Sequence, residues 1–204
     1  MINIQLSEEK TKKKIQKRNG ISIVNFIDKK SEISTCIRGF VSTLSPDIVS
    51  GFIWTSPEKY HITIVRCSSV ERDIQYYNAF ETYVNGMIKT KSPIILTPKM
   101  IRLDQDGVIR LYFEGEVDFG FNTTRLSQLS DKLKYTEIKK PWVTIAYSKL
   151  EYINYFDRNK TDILFSLHEH HIEYCISNIS IVKFYDTGFC RTETIRTLKM
   201  SNSL

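Results

Sequence analysis

The sequence predicts an α+β fold built from two related lobes, and three observations carry that reading. Short β-rich runs alternate with stretches of helical periodicity along the 204 residues. Capping and turn residues punctuate both kinds of segment. A strand reading His-Ile-Thr-Ile-Val at 61–65 has a counterpart in Trp-Val-Thr-Ile-Ala at 142–146, 81 residues further on. A gap that long between similar strands predicts two lobes facing one another, not a short tandem repeat.

The elements follow in order. Ile21–Ile27 comes after Gly20 and ends at Asp28-Lys29-Lys30, which reads as a first strand. Ser31 can cap a helix whose apolar positions Ile33, Ile37, Val41 and Leu44 recur every three or four residues until Pro46 stops it. After a loop at Ser56-Pro57-Glu58, Tyr60–Val65 reads as a strand. Ser68 and Glu71 have capping-box spacing and open a helix with Val70, Ile74, Tyr77, Val84, Met87 and Ile88 along one face. A β section follows: Pro93–Leu96, Met100–Leu103 and Val108–Phe113, with Asp104-Gln105-Asp106-Gly107 as a hairpin turn. Leu126, Leu129 and Leu133 mark another helix, and Trp142–Tyr147 a strand introduced by Pro141. Asn154–His171 reads as helical despite poor periodicity. Strands Ile179–Tyr185 and Thr192–Leu198 close the chain around Asp186-Thr187-Gly188.

Composition sets outer bounds. Apolar content of 41% and charged content of 25% are ordinary for a globular protein. No run of 18 apolar residues exists, so no membrane span is expected, and the N-terminus lacks the basic-then-apolar order of a secretory signal. Cys36, Cys67, Cys175 and Cys190 form no CxxC pair and no metal-ligand spacing, which points to free thiols in the cytoplasm. The net charge is +6, but six cations between Lys10 and Arg18, against Glu8 and Glu9, account for about +4 of it. Residues 1–18 therefore read as a basic arm, either merely solvated or gathering polyanions electrostatically. Residues 19–204 read as one bilobal domain.

The chemistry-bearing signal is Tyr60-His61-Ile62-Thr63-Ile64-Val65-Arg66. Strand alternation puts His61, Thr63 and Val65 on one face and Ile62 and Ile64 in the core. An imidazole beside a hydroxyl suits phosphate: the hydroxyl donates to a phosphoryl oxygen and the imidazole moves a proton near neutral pH. In the second strand Trp142, Thr144 and Ala146 share a face, so Thr144 mirrors Thr63. Arg66 and Tyr147 follow their motifs on the opposite faces, and a ligand contact from either requires a twist or bulge. His168, His170 and His171 lack the i, i+4 spacing of a helical metal pair, and the cluster reads as a solvated helix end, a weak metal site or a substitute acid.

Paired His-x-Thr-type strands about 80 residues apart, with the Gly20-Ile-Ser-Ile-Val24 strand and the Pro57-Glu58-Lys59-Tyr60 approach, resemble the two-histidine phosphoesterase superfamily, which includes the LigT-like RNA 2′,3′-cyclic phosphodiesterases. The resemblance spans roughly residues 19–199. It implies two pseudo-symmetric lobes with antiparallel sheets flanked by helices, and a central cleft where the motifs meet. It also implies a general base and a general acid, with two hydroxyls on the phosphate, and no cofactor or metal. His61, Thr63 and Thr144 match that pattern. Trp142 stands where the second histidine is expected, and an indole N–H does not exchange its proton at physiological pH. Trp142 then either fills the half-site or stacks on a base. The function expected is binding of a nucleotide or RNA-end phosphodiester by a monomer with weak or lost catalysis. The alternatives are an active phosphodiesterase using His61 on cyclic or 2′,5′-linked nucleotides, and a protein–protein module on the same scaffold.

Overall fold

The computed structural model describes residues 20–67, 74–128, 135–149, 164–167, 172–185 and 192–201. The basic arm and the histidine cluster at 168–171 lie outside them. Strand β1 (Gly20–Phe26) leads into helix α1 (Glu32–Thr43). Ser31 caps α1 by accepting from the Ser34 amide at 3.3 Å, and Glu32 adds a carboxylate to the positive end of the dipole. Ile33, Ile37 and Phe40 bury the inner face of α1. The chain turns extended at Leu44, and Pro46 opens a separate short helix, α2 (Pro46–Ser50).

The remaining elements are β2 (Phe52–Trp54), a 3₁₀ turn (Pro57–Lys59), β3 (His61–Cys67), α3 (Ile74–Ile88), β4 (Ile94–Leu96), β5 (Pro98–Leu103) and β6 (Val108–Phe113). They continue with α4 (Thr123–Gln128), β7 (Tyr135–Glu137), β8 (Trp142–Ser148), β9 (Leu164–Ser166), β10 (Tyr174–Ile176), β11 (Asn178–Phe184) and β12 (Thr192–Lys199). The helix expected over 154–171 is corrected at its described part, since residues 164–166 form β9 on the edge of β5. Pairing with an open sheet edge outweighs weak local propensity.

Ten strands form one antiparallel sheet with the central order β12-β11-β1-β3-β8-β6-β5-β9, and β4 and β10 make a separate ribbon. The sheet is two halves, β11-β1-β3 and β5-β6-β8, joined where Ile62 lies opposite Val143. A pseudo-two-fold relates them, because each half lends a short strand to the other's motif strand. β2 pairs the far end of β8, with Trp54 opposite Ala146, and β7 pairs the far end of β3, with Glu137 opposite Val65. The fold is α+β with the pseudo-symmetry expected of the repeated strand.

One face of the sheet carries the core. Ile21, Ile23, Ile62, Ile64, Val143 and Ile145 pack in one cluster with Ile33, Ile37 and Phe40 of α1 and Phe80, Val84 and Ile88 of α3. Ile62 and Val143, at the junction of the halves, are both 0% exposed. Burying each aliphatic chain contributes about 1.5–3 kcal/mol, so the join is anchored from beneath. The opposite face holds the motif side chains, beside a small cluster of Val24, Val182, Phe184 and Phe26.

Candidate functional site

Strict alternation fails in both motif strands, and in the same way. Ile23 pairs with Val65 and the next residue, Val24, with Thr63, which leaves Ile64 as an extra residue in β3. Ile109 pairs with Ala146 and Arg110 with Thr144, which leaves Ile145 as the extra residue in β8. Each bulge carbonyl is held by the strap from the other half. Ile64 O accepts from the Ile138 amide at 2.8 Å, and Ile145 O accepts from the Thr55 amide at 2.8 Å. A bulge shifts every later side chain to the other face.

That shift corrects two expectations. Val65 and Ala146 lie in the core, not beside His61 and Trp142. Arg66, exposed, and Tyr147, half-buried, therefore come to the same face as the motif residues. Arg66 sits opposite Ser22, two residues before Val24 on β1, and Tyr147 sits opposite Val108, two before Arg110 on β6.

The Ile62–Val143 pairing fixes who meets whom. That single pair puts the strand starts next to each other, with His61 and Thr63 flanking Ile62 on β3 and Trp142 and Thr144 flanking Val143 on β8. All four flanking residues are half-buried. Among the described residues neither threonine hydroxyl has a hydrogen-bond partner. The indole N–H of Trp142 has none either. Three donors on the strands that meet at Ile62 and Val143 are thus uncommitted among the described residues.

His61 is oriented by the turn before it. Pro57 starts the 3₁₀ turn, the Tyr60 amide closes it on Pro57 O at 3.3 Å, and the Tyr60 ring is buried at 3% exposed. Burial pushes the Tyr60 phenol up to about 12, so it stays neutral and does no acid–base work. The turn places the Lys59 carbonyl 2.8 Å from His61 Nδ1. A carbonyl only accepts, so Nδ1 carries the proton and Nε2 the lone pair. Desolvation, helped by the charge of Arg66, lowers the His61 pKa against the opposing bond to Lys59. The imidazole is neutral at physiological pH with Nε2 as the basic nitrogen. Phe26 meets the ring edge-on at 6.1 Å between centroids.

On the Trp142 side lies a network that sequence reasoning missed. Arg110 and Tyr112 of β6 stand opposite Thr144 and Trp142. The Arg110 guanidinium lies over the indole, 5.9 Å from its centroid, and Arg102 of β5 lies over the Tyr112 ring at 4.6 Å. Asp104 joins them: it accepts from Arg102 Nε at 2.7 Å, from Arg110 Nη1 and from the Tyr112 hydroxyl. Asp106 accepts from Arg110 through both oxygens, at 3.0 and 2.7 Å. Burial alone would raise the Asp104 pKa, but bonds from Tyr112, Arg110 and Arg102 hold it below the usual carboxylate value. Burial and the Asp104 bond push the Tyr112 phenol up. The sequence signal for this network is Asp104-Gln105-Asp106-Gly107, whose composition alone predicts a turn. It does turn, with Gly107 at φ 74°, and its carboxylates also hold the arginines.

Elsewhere, an open groove of about 620 Å³ runs along the outer face of α3 past Ala79, Tyr83, Gly86 and Met87 to Arg125, and none of its lining residues belongs to β3 or β8. Among the described residues no group of three or more His, Cys, Asp or Glu side chains is placed to hold a metal, Cys36 and Cys175 are free thiols, and no helix is long and apolar enough to cross a membrane.

No family model and no curated protein sequence matches the chain. Solved structures do. TT0787 of Thermus thermophilus superposes with a TM-score of 0.57 at 12% identity, covering 91% of this chain and 100% of that one. A structure described as a phosphoesterase superposes with a TM-score of 0.59 at 10% identity, covering 90% and 99%. At such identities the likeness shows the fold alone.

Proposed function

We propose that the chain is a degenerate two-histidine phosphoesterase that binds a nucleotide or RNA-end phosphodiester on the face between β3 and β8, with catalysis weak or lost. The observation that supports this reading is the Ile62–Val143 pair, which brings together the strand starts that carry His61, Thr63 and Thr144, both hydroxyls being unpartnered among the described residues. The hydroxyls donate to the non-bridging oxygens, and Arg66, brought round by the bulge, offsets their charge. His61 Nε2 stands as base for an attacking water or ribose hydroxyl. The departing oxygen needs a proton from the other side, where Trp142 offers a hydrogen bond but no group acidic enough to give one up near neutral pH. Missing that transfer costs about 10²–10⁴-fold, so occupancy outlasts turnover.

A second reading, a working phosphodiesterase relying on His61 alone, is favoured by the neutral imidazole and its fixed tautomer. Incubation with 2′,3′-cyclic, 3′,5′-cyclic and 2′,5′-linked nucleotides, scored for binding and for turnover, separates the two. Micromolar binding without hydrolysis supports the first reading. Fast hydrolysis that Trp142→His leaves unchanged means that the acid comes from another residue, and the binding-only reading falls. No binding of any member leaves a protein–protein role for the scaffold.

A further inference from the structure

The proposed site accounts for His61, Thr63, Thr144 and Trp142, but not for the second aromatic ring beside it. Tyr112 stands directly opposite Trp142 on the adjacent strand, so the two side chains rise on one sheet face from neighbouring strands about 4.8 Å apart. Each ring has an arginine over it, Arg110 at 5.9 Å and Arg102 at 4.6 Å, and both arginines bond to the same carboxylate, Asp104. Aromatic side chains on neighbouring strands of an open sheet stack consecutive bases of single-stranded RNA, and guanidinium planes add to such stacks.

Resting on the phosphodiester-binding reading, we infer that Tyr112 with Arg102 forms a second base platform, and that the ligand is an oligonucleotide end carrying at least two stacked bases. The terminal phosphate lies over β3 and β8, its own base against Trp142, and the preceding base against Tyr112. Two features favour a platform over a simple hairpin brace. The Tyr112 hydroxyl is tied to Asp104, which fixes the ring before any ligand arrives and lowers the ordering cost of binding. Arg102 keeps about half of its side-chain surface exposed although its Nε is bonded, so its plane is presented at the surface. Two arginines and two aspartates also cancel in charge. The network therefore supplies orientation and stacking surface, and attraction for phosphate falls to Arg66.

The test compares adenosine 2′,3′-cyclic phosphate with the dinucleotide ApA ending in the same cyclic phosphate. Affinity is read by calorimetric titration of the full chain, or by KM where turnover occurs. Stacking of the second base is expected to tighten binding on the order of 5- to 150-fold. Tyr112→Leu should erase that ratio and leave mononucleotide affinity in place, whereas Tyr112→Phe, which keeps the ring but loses its tie to Asp104, should retain most of it. If the wild-type protein binds the mononucleotide and gains nothing from the second nucleoside, the platform is refuted while the phosphate site stands. If Tyr112→Leu weakens both ligands equally, the network only braces the site and the inference fails. If neither ligand binds, the functional reading fails first and takes the platform with it.

Discussion

Thr63→Val and Thr144→Val probe the site with little disturbance of the fold. Neither hydroxyl bonds to the described protein, so replacing it with a methyl breaks no native hydrogen bond. Both residues are half-buried on β-strands, where valine is as well accommodated as threonine. Stability should therefore change by no more than about 0.5 kcal/mol, or about 2 °C in Tm for a chain of this size. Binding should change far more. A hydrogen bond to a charged oxygen is worth about 1.5–3 kcal/mol, so each substitution should weaken a phosphodiester ligand roughly 10- to 150-fold. The double variant need not show the product of the two effects, since both hydroxyls would hold one phosphate. Titration calorimetry and thermal unfolding on the same preparations measure both quantities. A Tm loss of about 5 °C or more with affinity unchanged would refute the reasoning, because the hydroxyls would then serve the fold and not a ligand.

Trp142→His should restore a second proton-transfer group and raise cyclic phosphodiesterase turnover by up to about 10²–10⁴-fold, with recovery held below that ceiling because the new imidazole lacks orienting bonds. His61→Ala should abolish whatever turnover exists. Trp142→Ala should cost less stability than the roughly 3–5 kcal/mol of a fully buried aromatic, since the ring is half-buried, while weakening nucleotide binding. An NMR titration of the ligand-free protein should place the His61 pKa below the ordinary value near 6.5, and Arg66→Gln should move it upward. Because the folded pKa is depressed, the contribution of His61 to stability is full above pH about 6.5 and declines as pH falls toward the folded value. Deleting residues 1–18 should weaken polyanion binding and flatten its salt dependence. Unchanged affinity at low salt would return the Lys10–Arg18 run to a solvated arm.

Much of this architecture is legible in the chain because local and tertiary demands agree. Ser31 caps its helix, and Ile62 and Ile64 point inward as their pattern requires. The repeated Ile-Thr-Ile and Val-Thr-Ile runs foretell the pseudo-two-fold. What escapes is set by pairing at a distance. The bulges at Ile64 and Ile145 have no local signature, because an isoleucine fits a regular strand equally well, and they exist through carbonyls held by Ile138 and Thr55. Simple alternation consequently puts Arg66 and Tyr147 on the wrong face. The short straps β2 and β7 carry three residues each, too few to show a period. Asp104 and Asp106 read as turn formers, and only the register of β5 against β6 reveals the arginines they hold.

The most direct test of a phosphate site at the junction of the two halves is the ¹⁵N shift of the His61 ring followed through a pH titration, with and without a slowly hydrolysed cyclic nucleotide. An anion held against Nε2 favours the imidazolium. The expected result is that the low His61 pKa rises on binding, and that the rise disappears in the Thr63→Val, Thr144→Val double variant at ligand concentrations that saturate the wild-type protein. A ligand that binds while the His61 titration stays where it was would place the binding elsewhere and contradict the assignment.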